Sequence, residues 1–281
     1  MKLILSGSEI SYAISTGNCQ FYLFNFVFCS AKVYRVKFSK ESNSIDKRKT
    51  SWKKDEIVTE YEIHILPLLI VYRNKTYRDR IEIKPQEVYN SLEKEIPKTS
   101  MPSIEDTKKL LDKLKEEGYT PAITITISST FSGTYEMLNA ISKEYKEMKI
   151  KVIDLKSLSM GLEFIVYEVA KAVKNGRSFE DACMIAEKVK GKMRIFFTLK
   201  TLKYLKKGGR IGKVEANIGE FLNVKPIISV DKDGILYSYV KILGWRRAID
   251  KMLDIFFKES QGKKVNVAVI NGGDEERQRN L

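Results

Sequence analysis

Histidine is almost missing from this sequence: His64 is the only one in 281 residues. A serine hydrolase needs a base beside its nucleophile, and one imidazole inside what reads as an apolar strand is better suited to packing than to proton transfer. No catalytic residue is therefore expected. Cysteine is scarce as well. Cys19, Cys29 and Cys183 are odd in number and stand at no metal-ligand spacing, which excludes a zinc site and a full disulfide framework and fits a reducing cytoplasm. No metal and no cofactor are expected. Long apolar runs are absent too. The stretch "FYLFNFVFC" (21–29) is shorter than the ~20 residues of a membrane-spanning helix and lacks the flank and cleavage pattern of a secretory signal. It reads as buried strand or poorly defined structure, and no transmembrane segment is expected. No Gly-x-x-x-x-Gly-Lys run occurs, so a phosphate-cradling P-loop is excluded. Nor is there a helix-turn-helix or an aromatic ribonucleoprotein motif, which argues against a nucleic acid partner.

What is present is apolar mass and positive charge. The chain is 43% hydrophobic, enough for a sizeable core, and its length suggests two domains. Fifty Lys and Arg against thirty-six Asp and Glu give +14, which favours an acidic partner. The cations are spread as singles and pairs among many glutamates, however, and this is also the pattern of a solvated lysine-rich surface.

Periodicity divides the chain. Residues 1–55 have little of it, and 38–56 is a polar, Ser- and Lys-rich run that reads as a loop or disordered linker. After residue 62, alternation on either side of Asn74-Lys75 predicts a hairpin. Residues 84–96 have helical spacing through Val88, Leu92 and Ile96. Ser103 can cap a helix that Gly118 closes, with Asp106 at the reciprocal position, which leaves 98–102 as a rigid polar loop. Strand 122–127, helix 132–145, strand 151–154 and helix 159–175 then alternate, the signature of a parallel sheet. Beyond Gly176 the pattern becomes α+β: helix 178–190, strand 193–199, a basic turn-rich stretch 205–213, a hairpin centred on Asp233-Gly234, helix 245–258 and strand 264–270.

The turn after strand 122–127 reads "SSTFSGT" (128–134). At the carboxyl end of a parallel strand, just ahead of a helix, hydroxyls and backbone amides form an oxyanion site, and the single glycine lets the backbone approach closely. Either a phosphate or a carboxylate satisfies it. Alternatively, Ser132 simply caps its helix while Ser128 and Ser129 satisfy loop amides. An enzyme acting on a phosphorylated small metabolite, with this turn as its anion site, is the alternative that the residues themselves leave open.

Five segments occur in the order and at about the spacing of the bacterial DegV family: "TSMPS" (99–103), "ISSTFSGTYE" (127–136), "DLKSLSMGL" (154–162), "LKYLKKGGRIG" (202–212) and "LNVKPIISVDKDG" (222–234). The chain resembles that family over roughly residues 57–275. The resemblance implies a two-domain α/β protein with a parallel-sheet amino-terminal domain (56–160), an α+β carboxyl-terminal domain (161–281) and one long-chain fatty acid held between them. It further implies that Thr99 and Ser132 bind the carboxylate, with Ser100, Ser128, Ser129 and Gly133 beside them. Neutral hydroxyls suit that task because they add no buried counter-charge that must itself be desolvated. The tail would dominate affinity, at ~0.8 kcal/mol per buried methylene against ~1 kcal/mol per head-group hydrogen bond. Relatives of this kind are acyl carriers without catalysis of their own, whose ligand a partner fatty acid kinase converts to an acyl phosphate. Lys206, Lys207 and Arg210, with Lys213, are then the expected kinase-docking cations.

Two departures from the resemblance stand out. Residues 1–55 show no D-S-T or D-S-x-x-D-L-P loop, so this segment is expected to be divergent or poorly ordered. The family's later H-x-G-x-G segment has no counterpart before the sequence ends at "NGGDEERQRNL", so the carboxyl-terminal domain is expected to be truncated.

Overall fold

The computed structural model describes residues 10–16, 31–37, 48–50, 54–119, 121–217 and 223–271; the apolar stretch 21–29 lies outside them. The chain separates into two compact units, one of Met1–Glu62 with Leu155–Leu281 (unit 1) and one of Ile63–Asp154 (unit 2). Both chain ends thus contribute to unit 1, a grouping that no single boundary counted along the sequence would yield.

The amino-terminal part of unit 1 contains β1 (Ile10–Thr16), β2 (Ala31–Lys37), β3 (Arg48–Thr50) and α1 (Lys54–Glu60). Strand β3 and the start of α1 fall inside the run 38–56 that composition reads as linker. That reading is corrected in part, because polar residues pair and coil readily when neighbouring elements offer backbone partners.

Unit 2 follows with β4 (Leu69–Val71), β5 (Thr76–Arg78), α2 (Pro85–Ser91), β6 (Lys98–Ser100), α3 (Ile104–Glu116), β7 (Pro121–Thr126), α4 (Thr134–Ser142) and β8 (Lys149–Asp154). Strands β4 and β5 form the expected hairpin around Asn74-Lys75, and β6 adds antiparallel to the other edge of β4. Residues 98–100, read as loop, are therefore strand; their amides and carbonyls find partners on β4. His64 is exposed and precedes β4 instead of packing inside a strand.

Local chemistry sets the helices of this unit. Pro85 opens α2, where its fixed φ suits a first turn and its missing N–H costs nothing. The Ser103 hydroxyl accepts the Asp106 amide at 2.9 Å to start α3. Gly118, at φ +83°, ends it in the left-handed conformation that a side chain disfavours. Strands β7 and β8 pair in parallel, as alternation predicts, and α4 buries Met137, Leu138 and Ile141 against Leu111 of α3 and Val152 of β8. The Tyr145 hydroxyl donates to Asp112 at 2.8 Å. Burial and the Asp112 carboxylate push its pKa up to about 12.

The chain returns to unit 1 through α5 (Met160–Lys174), α6 (Phe179–Lys192), β9 (Arg194–Thr198), α7 (Lys203–Lys207), a 3-10 turn (Gly212–Asn217), β10 (Val224–Val230), β11 (Leu236–Leu243), α8 (Trp245–Ser260) and β12 (Lys264–Asn271). Seven strands pair in the order β11-β10-β9-β1-β12-β2-β3. The centre is parallel, with β1 between β9 and β12, while β10, β11, β2 and β3 run antiparallel to their neighbours. Helix α8 carries apolar residues at Ala248, Met252, Ile255 and Phe256, one stripe of a 3.6-residue period. Met252, Ile255 and Phe256 of that stripe pack with Phe196, Ile227, Val265 and Val267 into one core, and each fully buried Met or Phe there contributes ~1.5–3 kcal/mol.

Ser178 caps α6 by accepting the Asp181 amide at 3.0 Å. In the β10–β11 hairpin Gly234 sits at φ +85°, and Asp231 accepts the amides of Asp233 and Ile235. Burial works against ionisation of the Asp231 carboxyl, but the Lys213 ammonium and the two amides outweigh it and hold its pKa below the ordinary aspartate value. Helix α1 is clasped to α5 by Tyr61 packed edge-on to Tyr167 and by Lys174, which lies over the Tyr61 ring and pairs with Glu60 at 2.9 Å.

Candidate functional site

Six of the residues expected around a ligand head group lie in unit 2 and arrange in two segments. The first is β6 with its continuation. Thr99 sits opposite Ile70 in the β4–β6 ladder, half-buried, and Ser100 opposite Leu69, exposed. The second is the turn between β7 and α4. Its backbone folds back on itself, with the amides of Phe131 and Ser132 both donating to the Ser128 carbonyl, at 2.9 and 3.3 Å.

Hydroxyls in this turn work on the turn itself. Buried Ser128 accepts the Thr130 amide at 3.3 Å and lies 3.0 Å from the Thr130 hydroxyl. Half-buried Ser132 accepts the Thr134 amide at 3.3 Å and lies 2.7 Å from the Thr134 hydroxyl. Gly133, not Ser132, occupies the N-cap position of α4. Ser132 still binds a first-turn amide, so the capping reading survives in altered form, and its hydroxyl keeps capacity for a further partner. From Thr126 to Thr134 no residue carries a charge.

Gly133 needs no glycine-specific backbone: its φ is −68°. A Cβ built on it would meet the Met101 sulfur at 3.7 Å, an ordinary contact, so close backbone approach is not what places glycine there. The same distance places the Met101 side chain, just after β6, beside the turn before α4. Met101, which follows Ser100, therefore lies close to Gly133, which follows Ser132.

Asp154 completes the picture from the end of β8, opposite Thr126 in the parallel ladder, and its buried carboxylate accepts the Ser129 amide at 3.2 Å. Neither Asp154 nor Met101 stands out by residue type. Only the pairing of β7 with β8 and the docking of β6 bring them to the turn.

The three expected docking cations belong to unit 1. Lys206 and Lys207 are exposed on α7, and half-buried Arg210 donates to the Gly208 carbonyl at 2.6 Å. The stretch read as a plain turn is thus a short helix followed by a 3-10 turn. Lys213, also exposed, pairs with Asp231 at 2.5 Å. Among the described residues no group of three or more His, Cys, Asp or Glu is placed to hold a metal ion, and no helix is long and apolar enough to cross a membrane.

Known proteins of similar sequence and fold carry the identification further. A DegV domain-containing protein of Clostridium acetobutylicum is 39% identical over 225 residues, 80% of each chain. The crystal structure of DegV from Bacillus subtilis, described as a fatty acid binding protein, superimposes with a TM-score of 0.68 at 25% identity, covering 90% of this chain and 79% of that one. A stearic acid-binding protein from Eubacterium ventriosum does so with a TM-score of 0.65 at 30% identity, covering 74% and 73%. The profile of the family described as "Uncharacterised protein, DegV family" matches residues 50–281. By that match and these relatives, the chain belongs to the DegV family.

Proposed function

We propose that this protein binds a long-chain fatty acid, holds its carboxylate with the hydroxyls of Thr99 and Ser132, and presents it in the cytoplasm to a partner kinase that forms an acyl phosphate. The observation that supports this reading is the Met101 side chain, one residue after Ser100, lying beside Gly133 in a turn free of charged residues. Ser100, Ser128, Ser129 and Gly133 shape the site: Ser128 pins the turn, and Ser129 is held through its amide by Asp154. A carboxylate there receives hydroxyl donors without a buried cation, so the site fixes orientation and leaves affinity to the apolar tail. The chain itself catalyses nothing on this reading. Lys206 and Lys207, with Arg210 behind them, offer an acidic kinase surface its complementary charge.

Denaturing mass spectrometry of the purified protein tests the binding reading. A released species of fatty-acid mass is expected, reduced about tenfold in Ser132→Ala and Thr99→Val at unchanged thermal stability. Wild-type retention in both variants, or a copurified sugar phosphate or nucleotide in place of lipid, would remove it. Charge reversal at Lys206, Lys207 and Arg210 is expected to abolish acyl phosphate formation with a kinase while lipid retention persists; equal loss of both would dismiss a separate docking role.

A further inference from the structure

The connection into α5 is a second hydroxyl-bearing entry to a helix, and the reading above does not use it. Leu155, Ser157, Leu158, Ser159 and Met160 are all buried, Ser159 to within 1%. Ser159 is the N-cap residue of this 15-residue helix, at φ +56° and ψ −139°, and its side chain caps nothing. The amides it would ordinarily serve are already taken: Gly161 donates to the Leu158 carbonyl at 3.2 Å and Leu162 to the Ser159 carbonyl at 2.8 Å. Its hydroxyl is left buried with no hydrogen-bond partner among the described residues.

Ser157 stands beside it. A Cβ on Gly161 would lie 3.2 Å from the Ser157 hydroxyl and 3.2 Å from the Ile195 side chain, and would collide with the Met193 sulfur. Gly161 is therefore what allows the Ser157 hydroxyl to rest on the first turn of α5. A hydroxyl withdrawn from water without a partner is unfavourable, and a helix amino terminus carries partial positive charge. Both conditions are relieved by one kind of ligand atom, an oxygen bearing negative charge.

We propose that the amino terminus of α5, with Ser159 as donor and Ser157 beside it, is an oxyanion-binding site that takes carboxylate or phosphoryl oxygens. It is independent of the carboxylate assignment at Thr99 and Ser132.

Amide chemical shifts of the full-length, nitrogen-labelled protein titrated separately with inorganic phosphate and with palmitate test it. Shifts at residues 159–163 are expected; phosphate alone producing them assigns phosphoryl oxygens, palmitate alone assigns carboxylate, and both assign a site open to either. Ser159→Gly removes the hydroxyl and suits the left-handed φ, so it folds, and it should weaken the response about tenfold. Ser159→Ala should weaken it equally. Ser132→Ala should leave it intact, which separates this site from the one in unit 2. No shift at α5 with either probe, or wild-type responses in both Ser159 variants, overturns the proposal.

Discussion

Unit 2 is a continuous piece of chain and unit 1 is not, and almost every difference between them follows. In unit 2 the pairings join near neighbours: β4 with β5, β4 with β6, β7 with β8. In unit 1 the central strand β1, residues 10–16, lies between strands at 194–198 and 264–271. Closing such long loops costs entropy before any contact is gained, so unit 1 depends on non-local pairing where unit 2 depends on local signals. The comparison teaches where each kind of sequence information resides. Caps, hairpins and the serine turn can be read one window at a time; the identity of a central strand cannot.

The strongest way to break this comparison is Ile14→Pro. Proline removes a ladder donor in the middle of a central strand, an effect of about 3 kcal/mol or more. Hydrogen exchange should show lost protection in β9 and β12 while β7 and β8 stay protected. Equal loss in β7 and β8 would mean that the two units do not differ in this way. A sharper contrast comes from the two serine caps, one in each unit. Ser103→Ala and Ser178→Ala should each cost ~1 kcal/mol by denaturant midpoint, because a cap is local wherever it sits. A clear inequality would mean that tertiary context governs caps too.

The smallest effects are those of pH. Tyr145 in unit 2 titrates higher when folded, so its contribution is complete below pH ~10 and is lost as pH rises toward 12. Asp231 in unit 1 titrates lower when folded. Its contribution is complete above pH ~4 and is lost as pH falls through the lowered value. Tyr145→Phe should flatten the alkaline limb of the stability profile, and Asp231→Asn the acidic limb, each leaving the other limb unchanged.

Legibility in the sequence tracks the same division. The parallel pair β7–β8, the hairpin at Gly234 and the Ser103 cap follow from alternation, turn residues and hydroxyl placement. Strand β6 was not legible, since Lys-Thr-Ser has no apolar face and becomes strand only because β4 presents unpaired backbone groups. Within the candidate site, the hydroxyl cluster at 128–134 raises two readings by residue type alone, an oxyanion site or a self-bonded cap, and the hydrogen bonds within the turn show the second. The role of Asp154 is invisible until β8 lies beside β7, and the approach of Met101 to Gly133 until β6 is in place.

From composition and local pattern alone came the α/β class, the start of α3 at Ser103 and its end at Gly118, and a neutral, hydroxyl-rich turn ahead of α4. Those follow because side-chain hydrogen bonds and backbone dihedrals act over three or four residues. Tertiary structure alone decided that residues near the amino end form the middle of the large sheet, that Lys213 is tied to Asp231, and that the Ser159 hydroxyl is buried without a partner among the described residues. Each depends on which distant segments come together, and that is settled by burial and backbone pairing summed over the whole chain.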